Sequence, residues 1–524
     1  CIPSATADCA GTEGSTTILP GFSDSYNPNN LNPFDYYNNP KSPGFIPSTN
    51  SAAFVAELIG RPNTKVREAN VNEFGQTDYF VLDDVDWRSS TDAQFGKTEF
   101  YQGTLNFNQD FGDRLRMEST FGYSRSEFRA TGLFAEFNSI DRDNYVFDER
   151  GDGIMPVFSP GFDVSDPNQW TLVKGLSAIR FVTTEVTNQF RVARVNMAYE
   201  ANDELRLRFG GTYKQFKFDS NQVRRNQDIE AVNPTLQESG LKITDLGQTI
   251  QFGQGLNVSP GTPTSFYAPN LNSFVNAFGI DCNCVNKFGD FRAVPDGRQN
   301  NAVTETDISG FGQVDFNYDL MGRPIRGNAG VRVAHTAVTG EGRVGATDGT
   351  PGIPVTANHK YLDILPALNI IYEPMDDFLV RFAFSKTMSR PQLASLTPGT
   401  TSFPNITGGL NAQGNAPAIT VGNPYLSPFR STNFDVSFEK YFGRNGLFAV
   451  TLFQKNLDSF PQQLASEIPL SAVFEEDIYN QLVPLFTNTA FRAYVESGGL
   501  FAVRQFQDAP GGRIRGVELT AQTD

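Results

Sequence analysis

Apolar and polar side chains alternate with a period of two along this 524-residue chain, in runs longer than ordinary strands, and that pattern limits the possible folds most severely. Tyr101, Gly103, Leu105 and Phe107 alternate with Gln102, Thr104, Asn106 and Asn108, and after Gly112-Asp113 the pattern resumes through Leu115, Met117, Phe121 and Tyr123. It returns on either side of Asn202-Asp203, then over 304–318 and 325–337, 359–372 and 378–388, and 431–442 and 447–458, with a last half-hairpin from about residue 510. Alternation of this kind puts one apolar and one polar face on each strand. Eleven strands of roughly 11–15 residues are expected, against about 5–6 in soluble sheets.

The connections set the architecture. Short turns at 112–113, 202–203, 319–324, 373–377 and 443–446 alternate with long segments at 129–184, 219–303, 338–358, 389–430 and 459–510. All the long segments therefore leave the sheet at one end. Soluble domains rarely carry several connections beyond ~15 residues, whereas outer-membrane barrels combine short periplasmic turns with long extracellular loops. Just before each short turn stands an aromatic residue: Phe111, Tyr199, Tyr318, Tyr372 and Tyr441-Phe442. Such a row is what a membrane interface requires. The expected fold is all-β, a transmembrane antiparallel barrel, with residues 1–97 forming an extracellular loop region with possible strand pieces and 98–524 forming part of the barrel. Lipid would face Leu105, Phe107, Phe209, Phe316, Phe382 and Phe434. The lumen would be lined by Arg116, Glu118, Arg206, Arg208, Asp315, Arg332, Arg381 and Glu439.

Several function classes drop out. The net charge of −16 disfavours a nucleic-acid partner, which needs a basic face. With two histidines in the whole chain, neither a His-based catalytic triad nor a zinc site is persuasive, so no enzyme and no cofactor is expected. Gly340-x-Gly342-x-x-Gly345 has dinucleotide-fingerprint spacing but runs into Gly349, Pro351, Gly352 and Pro354 rather than a helix, and reads as a flexible loop. Asp141, Asp143, Asp148 and Asp152 form a weak calcium candidate, with a solvated acidic loop as the simpler reading. Cys1 and Cys9 are expected to form a loop disulfide, while Cys282-x-Cys284 is too closely spaced for an easy bridge. Helices are expected over 51–59, capped by Asn50, and over 471–483. Trp87, Trp170, Tyr145, Phe147, Tyr267 and Phe403 fall in the long segments and are the candidate ligand-stacking rings.

The strings ISGFGQVDFNYDLMGRPIRGNAGVRVAHT (308–336) and YLDILPALNIIYEPMDDFLVRFAFSKTMSRPQLASLTPG (361–399) resemble TonB-dependent outer-membrane receptors. So do GNPYLSPFRSTNFDVSFEKYFGRNGLFAVTLFQKNLDSF (422–460) and GRIRGVELTAQ (512–522), and the likeness is to the large receptors of Caulobacter- and sphingomonad-type bacteria. The resemblance implies a 22-stranded barrel in the bacterial outer membrane, surrounded by outer-membrane lipid and lipopolysaccharide. It also implies a plug that couples to TonB-ExbB-ExbD. Plug and TonB box have no match here, so the sequence reads as a fragment of a longer receptor. By the same resemblance the expected function is active transport of a scarce nutrient, an oligosaccharide or other small molecule. A ferric siderophore, cobalamin, a passive porin and a surface adhesin are the alternatives.

Overall fold

The computed structural model describes residues 64–523 except 152–154, 174–175, 227–228, 232, 347–351 and 404–417. Cys1, Cys9, the helix expected at 51–59 and Asp152 lie outside the described residues.

Eleven long strands form one sheet in which neighbours in sequence are hydrogen-bonded neighbours in space. They are β1 (Val85–Phe111), β2 (Leu115–Arg142), β3 (Ile179–Glu200), β4 (Leu205–Arg225), β5 (Asn301–Leu320), β6 (Arg323–Val344), β7 (Ile353–Met375), β8 (Phe378–Ser389), β9 (Phe429–Phe442), β10 (Gly446–Pro469) and β11 (Leu500–Gln522). The five short turns fall where the sequence puts them. Left-handed residues close several of them: Gly112, Met321-Gly322, Asp377 and Gly443. The aromatic before each turn is exposed or half-buried.

Nine of the eleven strands exceed the expected 11–15 residues, reaching 28 in β2, while β8 and β9 keep to 12 and 14. Alternation marks a strand only where one face meets an apolar medium. Beyond that level both faces are polar, and the ladder continues with no pattern in the sequence to announce it. Thus Gln462–Ile468 of β10 pairs with Phe501–Gln507 of β11 although its sequence, QQLASEI, reads as a loop. Likewise β1 starts at Val85, well inside the segment expected to precede the sheet, and Lys65–Val71 and Thr77–Asp83 form a separate hairpin.

The two faces of the sheet are chemically inverted relative to a soluble protein. Leu105, Phe107, Phe209, Ile308, Leu362, Ile364, Phe434, Leu452, Val517 and Leu519 are exposed, while Glu305, Asp307, Thr336 and Asp363 on the opposite face are buried. A sheet that presents its aliphatic rows outward and covers its carboxylates is built for lipid.

By internal contacts the chain forms two compact units. The first comprises residues up to 96, 130–184 and 222–295. Its core gathers Phe137, Val164, Trp170, Ile179, Leu246, Tyr267, Phe274, Phe278 and Phe291. Helix α1 (Leu271–Phe278), capped by Asn270, contributes three of its buried side chains. Arg225 is buried there too: its Nε donates to the Asp290 carbonyl at 2.8 Å, its Nη1 donates to the Ile179 carbonyl at 3.0 Å and to Asn233 Oδ1 at 2.8 Å, and its guanidinium lies 4.3 Å from the Phe291 ring centre. Contrary to the spacing argument, Cys282 and Cys284 are disulfide-bonded. Asn283 adopts a left-handed φ of 47°, and this sharp turn brings the two Cα atoms to 5.2 Å.

The second unit holds residues 97–129, 185–221 and 296–524. Its own small core packs Val344, Ile419, Phe486, Phe491, Phe501 and Val503 under the helical stretch after β10. The helix expected over 471–483 is broken in two, Leu470–Val473 and α2 (Glu476–Leu482), because Phe474 is extended (φ −114°, ψ 147°) and Glu475 is the cap of the second piece. A third helix, α3 (Thr489–Glu496), follows under Asn488 as cap.

Candidate functional site

On the polar face, β5, β6 and β7 align three rows of side chains. Glu305, Val338 and His359 form one, Asp307, Thr336 and Tyr361 the next, and Ser309, Ala334 and Asp363 the third. Period two and the antiparallel register together put Glu305, Asp307, Tyr361 and Asp363 on this face, so four hydrogen-bonding groups converge within three adjacent strands.

Arg390, the residue directly after β8, bends onto this face. Its Nη2 donates to Asp307 Oδ2 at 2.5 Å and to Thr336 Oγ1 at 3.1 Å, and its Nε lies 3.2 Å from Glu305 Oε1. At the far end of the same connection Arg430, in β9, donates from Nε to Asp363 Oδ1 at 2.6 Å. Both carboxylate partners are almost wholly buried, so each ion pair works at low effective dielectric. Two guanidiniums face three carboxylates, and Glu305 Oε2 and Asp363 Oδ2 have no hydrogen-bond partner among the described residues.

Leu396, after the first of those arginines, and Leu426, before the second, lie back on the sheet. They pack on Val303 and Val338, with Leu393, Tyr361 and Phe506 around them. The approach is so close that it requires glycine: a Cβ on Gly340 would lie 2.6 Å from the Leu396 carbonyl oxygen, and one on Gly342 would lie 2.7 Å from the Gly399 nitrogen. The glycine-rich motif read as a flexible loop is therefore the end of β6, and its glycines make room for this docked segment. Residues 400–402 pair with 419–421, which add in parallel to Val503–Gln505 of β11. Tyr425, exposed, sets its ring edge-on 5.8 Å from His359, which is 5.5 Å from Tyr361. Exposed and half-buried rings beside charged hydrogen-bonding groups suit a polar solute with some flat apolar surface.

The residues chosen from sequence are distributed differently. Arg208 pairs with Asp315 at 2.6 Å, Arg381 with Glu439 at 2.8 Å, Arg206 with Glu200 and Arg116 with Asp110, while Arg332 bonds Ser309 and Glu118 stands exposed. The aromatic candidates need correction. Trp170 and Tyr267 are core residues: the indole donates to the Val164 carbonyl, and Tyr267 stacks on Phe137 and donates to the Ile243 carbonyl. Trp87 packs edge-on against Tyr145 and Phe158, Phe147 stacks on Phe80, and Phe403 stacks on Phe486. Apolar rings in long connections are used first to hold those connections together: Trp170 and Tyr267 are buried, while Trp87, Tyr145, Phe147 and Phe403 remain half-buried. Of the calcium candidates, Asp148 is held bidentately by Arg150, which pushes its carboxyl down to about 2, and Asp143 accepts from the Asp84 backbone N–H. Among the described residues no three metal-ligating side chains converge.

Sequence reading missed Arg390, Arg430, Glu305, Asp307, Asp363 and Tyr425. The pair Glu305-x-Asp307 was visible as two carboxylates on the polar face of one strand, but its partners come from a connection whose return to the sheet leaves no periodic trace.

Residues 158–524 match the family described as TonB dependent receptor-like, beta-barrel. Among curated proteins no sequence matches. Solved structures with similarity include the copper transporter OprC (11% identity, TM-score 0.35, covering 87% of this chain and 58% of that one). The ferric-catecholate import receptor Fiu from Escherichia coli K12, in its closed form, is 9% identical (TM-score 0.33, 87% and 62%). A double mutant of the Serratia marcescens hemophore receptor HasR, in complex with its hemophore HasA and heme, is also 9% identical (TM-score 0.31, 87% and 60%). The chain spans about three fifths of the length of each.

Proposed function

Because the chain belongs to the TonB-dependent receptor-like β-barrel family, we propose that it forms part of the wall and extracellular loops of an outer-membrane active transporter. In this reading the long connections bind solute outside the cell. A plug energised by TonB-ExbB-ExbD opens passage along the polar face, and outer-membrane lipid and lipopolysaccharide surround the apolar one. The protein lowers no chemical barrier; its work is binding and gated passage. The observation that supports this reading is the pair of inverted faces: exposed aliphatic rows on one side, and on the other a buried charged cluster clamping a connection against the sheet.

For the substrate we favour an oligosaccharide. Its hydroxyls suit the carboxylates and guanidiniums of the polar face, and its flat apolar faces suit a ring such as Tyr425. A ferric siderophore is the second reading. Uptake by cells expressing the full-length receptor, with and without a functional TonB, tests both. Growth on a limiting oligosaccharide that depends on receptor and TonB together is the expected result. Growth rescue only under iron limitation with a siderophore would replace the saccharide, and uptake indifferent to TonB would point to a passive porin.

A further inference from the structure

In the first unit, Gly247–Gln251 and Ser265–Pro269 form a hairpin of two strands whose outer edges are treated differently. The Phe252 N–H donates to the Thr264 carbonyl at 2.7 Å. Antiparallel alternation then makes Ile250/Phe266 and Gln248/Ala268 the hydrogen-bonded pairs. It turns the backbone polar groups of Thr249, Gln251, Tyr267 and Pro269 outward. On the second strand those groups are answered within the unit. The Tyr267 N–H donates to the Val164 carbonyl at 2.8 Å, Ser89 Oγ donates to the Tyr267 carbonyl at 2.7 Å, and Thr91 Oγ1 donates to the Pro269 carbonyl at 2.6 Å. On the first strand, no hydrogen bond among the described residues reaches the outward groups of Thr249 and Gln251, and both residues are exposed.

An open edge invites another strand, and proteins usually blunt it with charges, prolines, bulges or brevity. The other small sheets of this unit do so. Lys65–Val71 carries Lys65, Arg67 and Glu68 and two register shifts, and Val157–Ser159 is three residues long between Pro156 and Pro160. Val285–Asn286 pairs with Gly289–Asp290 over two residues. Gly247–Gln251 has instead an unbroken register, no charge and no proline, and its Ile250 is exposed, as are Phe252 and Leu256 just beyond. Residues 246–280 contain no acidic or basic side chain, in a chain of net charge −16. A second such stretch, 391–429, is the connection between Arg390 and Arg430. Two copies of so acidic a chain repel each other over most of their surface, and an uncharged patch is where they can approach.

We propose that Gly247–Gln251 is a self-association edge, pairing antiparallel with the same strand of a second copy about a twofold axis. The open groups select the register. Thr249 stands opposite Gln251 of the second copy and Gln251 opposite its Thr249, so every outward N–H meets an outward carbonyl. Ile250 then meets Ile250 of the second copy at the axis, in a pair without hydrogen bonds, where facing side chains lie closest. Each Ile250 is already opposite Phe266, which packs on the core of its unit, so the junction carries one continuous apolar row of two isoleucines between two phenylalanines. The association does not depend on which solute the receptor carries.

The test uses the full-length receptor, in non-ionic detergent and in the outer membrane of cells expressing it. Sedimentation velocity should show a monomer–dimer equilibrium at micromolar concentration. Residues opposite each other in a pair without hydrogen bonds have Cα atoms about 4.5 Å apart. Ile250→Cys should therefore give a disulfide-linked dimer on mild oxidation in cells, whereas Asn272→Cys, exposed on α1, should not. Gln251→Pro removes an outward donor that the hairpin itself does not use. It should weaken dimerisation about tenfold or more, since two hydrogen bonds are lost per dimer. Gln251→Lys should do likewise by setting like charges across the axis, and it carries the test if heat-modifiable migration shows that the proline variant forms no barrel. Asn276→Lys, on the exposed side of α1, should leave the dimer intact. Absence of the Ile250→Cys cross-link, or dimers unaffected by both Gln251 variants, would overturn the proposal. A wild-type receptor that stays monomeric throughout would overturn it too, and would leave the edge to an extended segment of another protein.

Discussion

The Arg390 guanidinium lies 2.5 Å from the Asp307 carboxylate, joining positions 83 residues apart in sequence. With Glu305 on its other edge, this one side chain ties the start of the connection after β8 to the middle of the sheet's polar face. Replacing Arg390 by Met leaves two buried carboxylates without a counter-charge, at a cost of about 3–5 kcal/mol. Amide hydrogen exchange over residues 393–402 and 419–426 should rise sharply, while exchange in β5–β7 stays slow. The triple change R390M/E305Q/D307N removes the uncompensated charge and should restore much of the protection. Unchanged exchange in R390M would show that the apolar contacts of Leu396 and Leu426 hold the segment alone.

The orientation of the sheet is testable residue by residue. Leu105, Phe107, Phe209, Phe316, Phe382 and Phe434 should face lipid, and Arg in place of one near the bilayer midplane should cost about 2–4 kcal/mol. Single cysteines at these positions should react with a lipophilic maleimide. Preferential labelling at Thr104, Asn106 or Asp435 would reverse the assignment.

Both tryptophans of the chain, Trp87 and Trp170, belong to the first compact unit, so tryptophan emission reports on that unit alone. Arg225 is buried in that unit and donates to the Ile179 and Asp290 carbonyls and to the Asn233 side chain. Arg225→Met strands those acceptors in an apolar core and should destabilise the unit by about 3 kcal/mol or more. A red shift of emission at lower denaturant concentration checks this. A midpoint equal to wild type would mean that water replaces the guanidinium.

How much of this was legible beforehand depended on which solvent each residue meets. The turns, the strand number and the division of each strand into an apolar and a polar face could be read because an apolar medium on one side forces a two-residue period, as in Leu105 to Asn108. Once β10 passes Ser459 both faces are polar, the period vanishes, and the continuing ladder looks like loop. The site was hidden for a different reason. Glu305 and Asp307 announce themselves as polar-face residues, but nothing around Arg390 says that it turns back toward them. Trp170 and Tyr267 misled in the opposite sense, since a ring in a long connection reads as available until the core it fills is known.

Acid should loosen the hairpin region of the first unit in a defined window. Arg150 holds the Asp148 carboxyl at about 2, below the ordinary ~3.9, so the folded form favours the ionised state. The pair's contribution is complete above about pH 4 and is lost as pH falls through about 2. Asp148 ends the strand Tyr145–Asp148, and Tyr145 packs edge-on to Trp87 at 4.9 Å. Emission should therefore change between pH 4 and 2 in wild type, and Arg150→Gln should move that change upward toward pH 4. A variant with an unaltered pH profile would separate the indole from this ion pair.

Substrate choice should follow the connections rather than the strands. Four of the eight wall residues named from sequence pair with one another, Arg208 with Asp315 and Arg381 with Glu439, and Arg206 and Arg116 pair with Glu200 and Asp110, so most of their charges are already answered within the sheet. Tyr425 differs: its ring is exposed, it is placed by the Asn423 side chain accepting its backbone N–H at 3.0 Å, and Asn423 is itself anchored to the Phe506 carbonyl. Tyr425→Ala should therefore weaken uptake of a limiting saccharide several-fold while leaving barrel assembly intact. Trp170→Ala and Tyr267→Ala should instead impair folding of their unit, and uptake with it, through loss of packing of about 3–5 kcal/mol for the indole. A chimera carrying the connections of a receptor with known ligand on these strands should import that ligand. Retention of the original substrate by the chimera would move selectivity to the strand-borne charges of the polar face, and Tyr425 would then be a packing residue like the other rings.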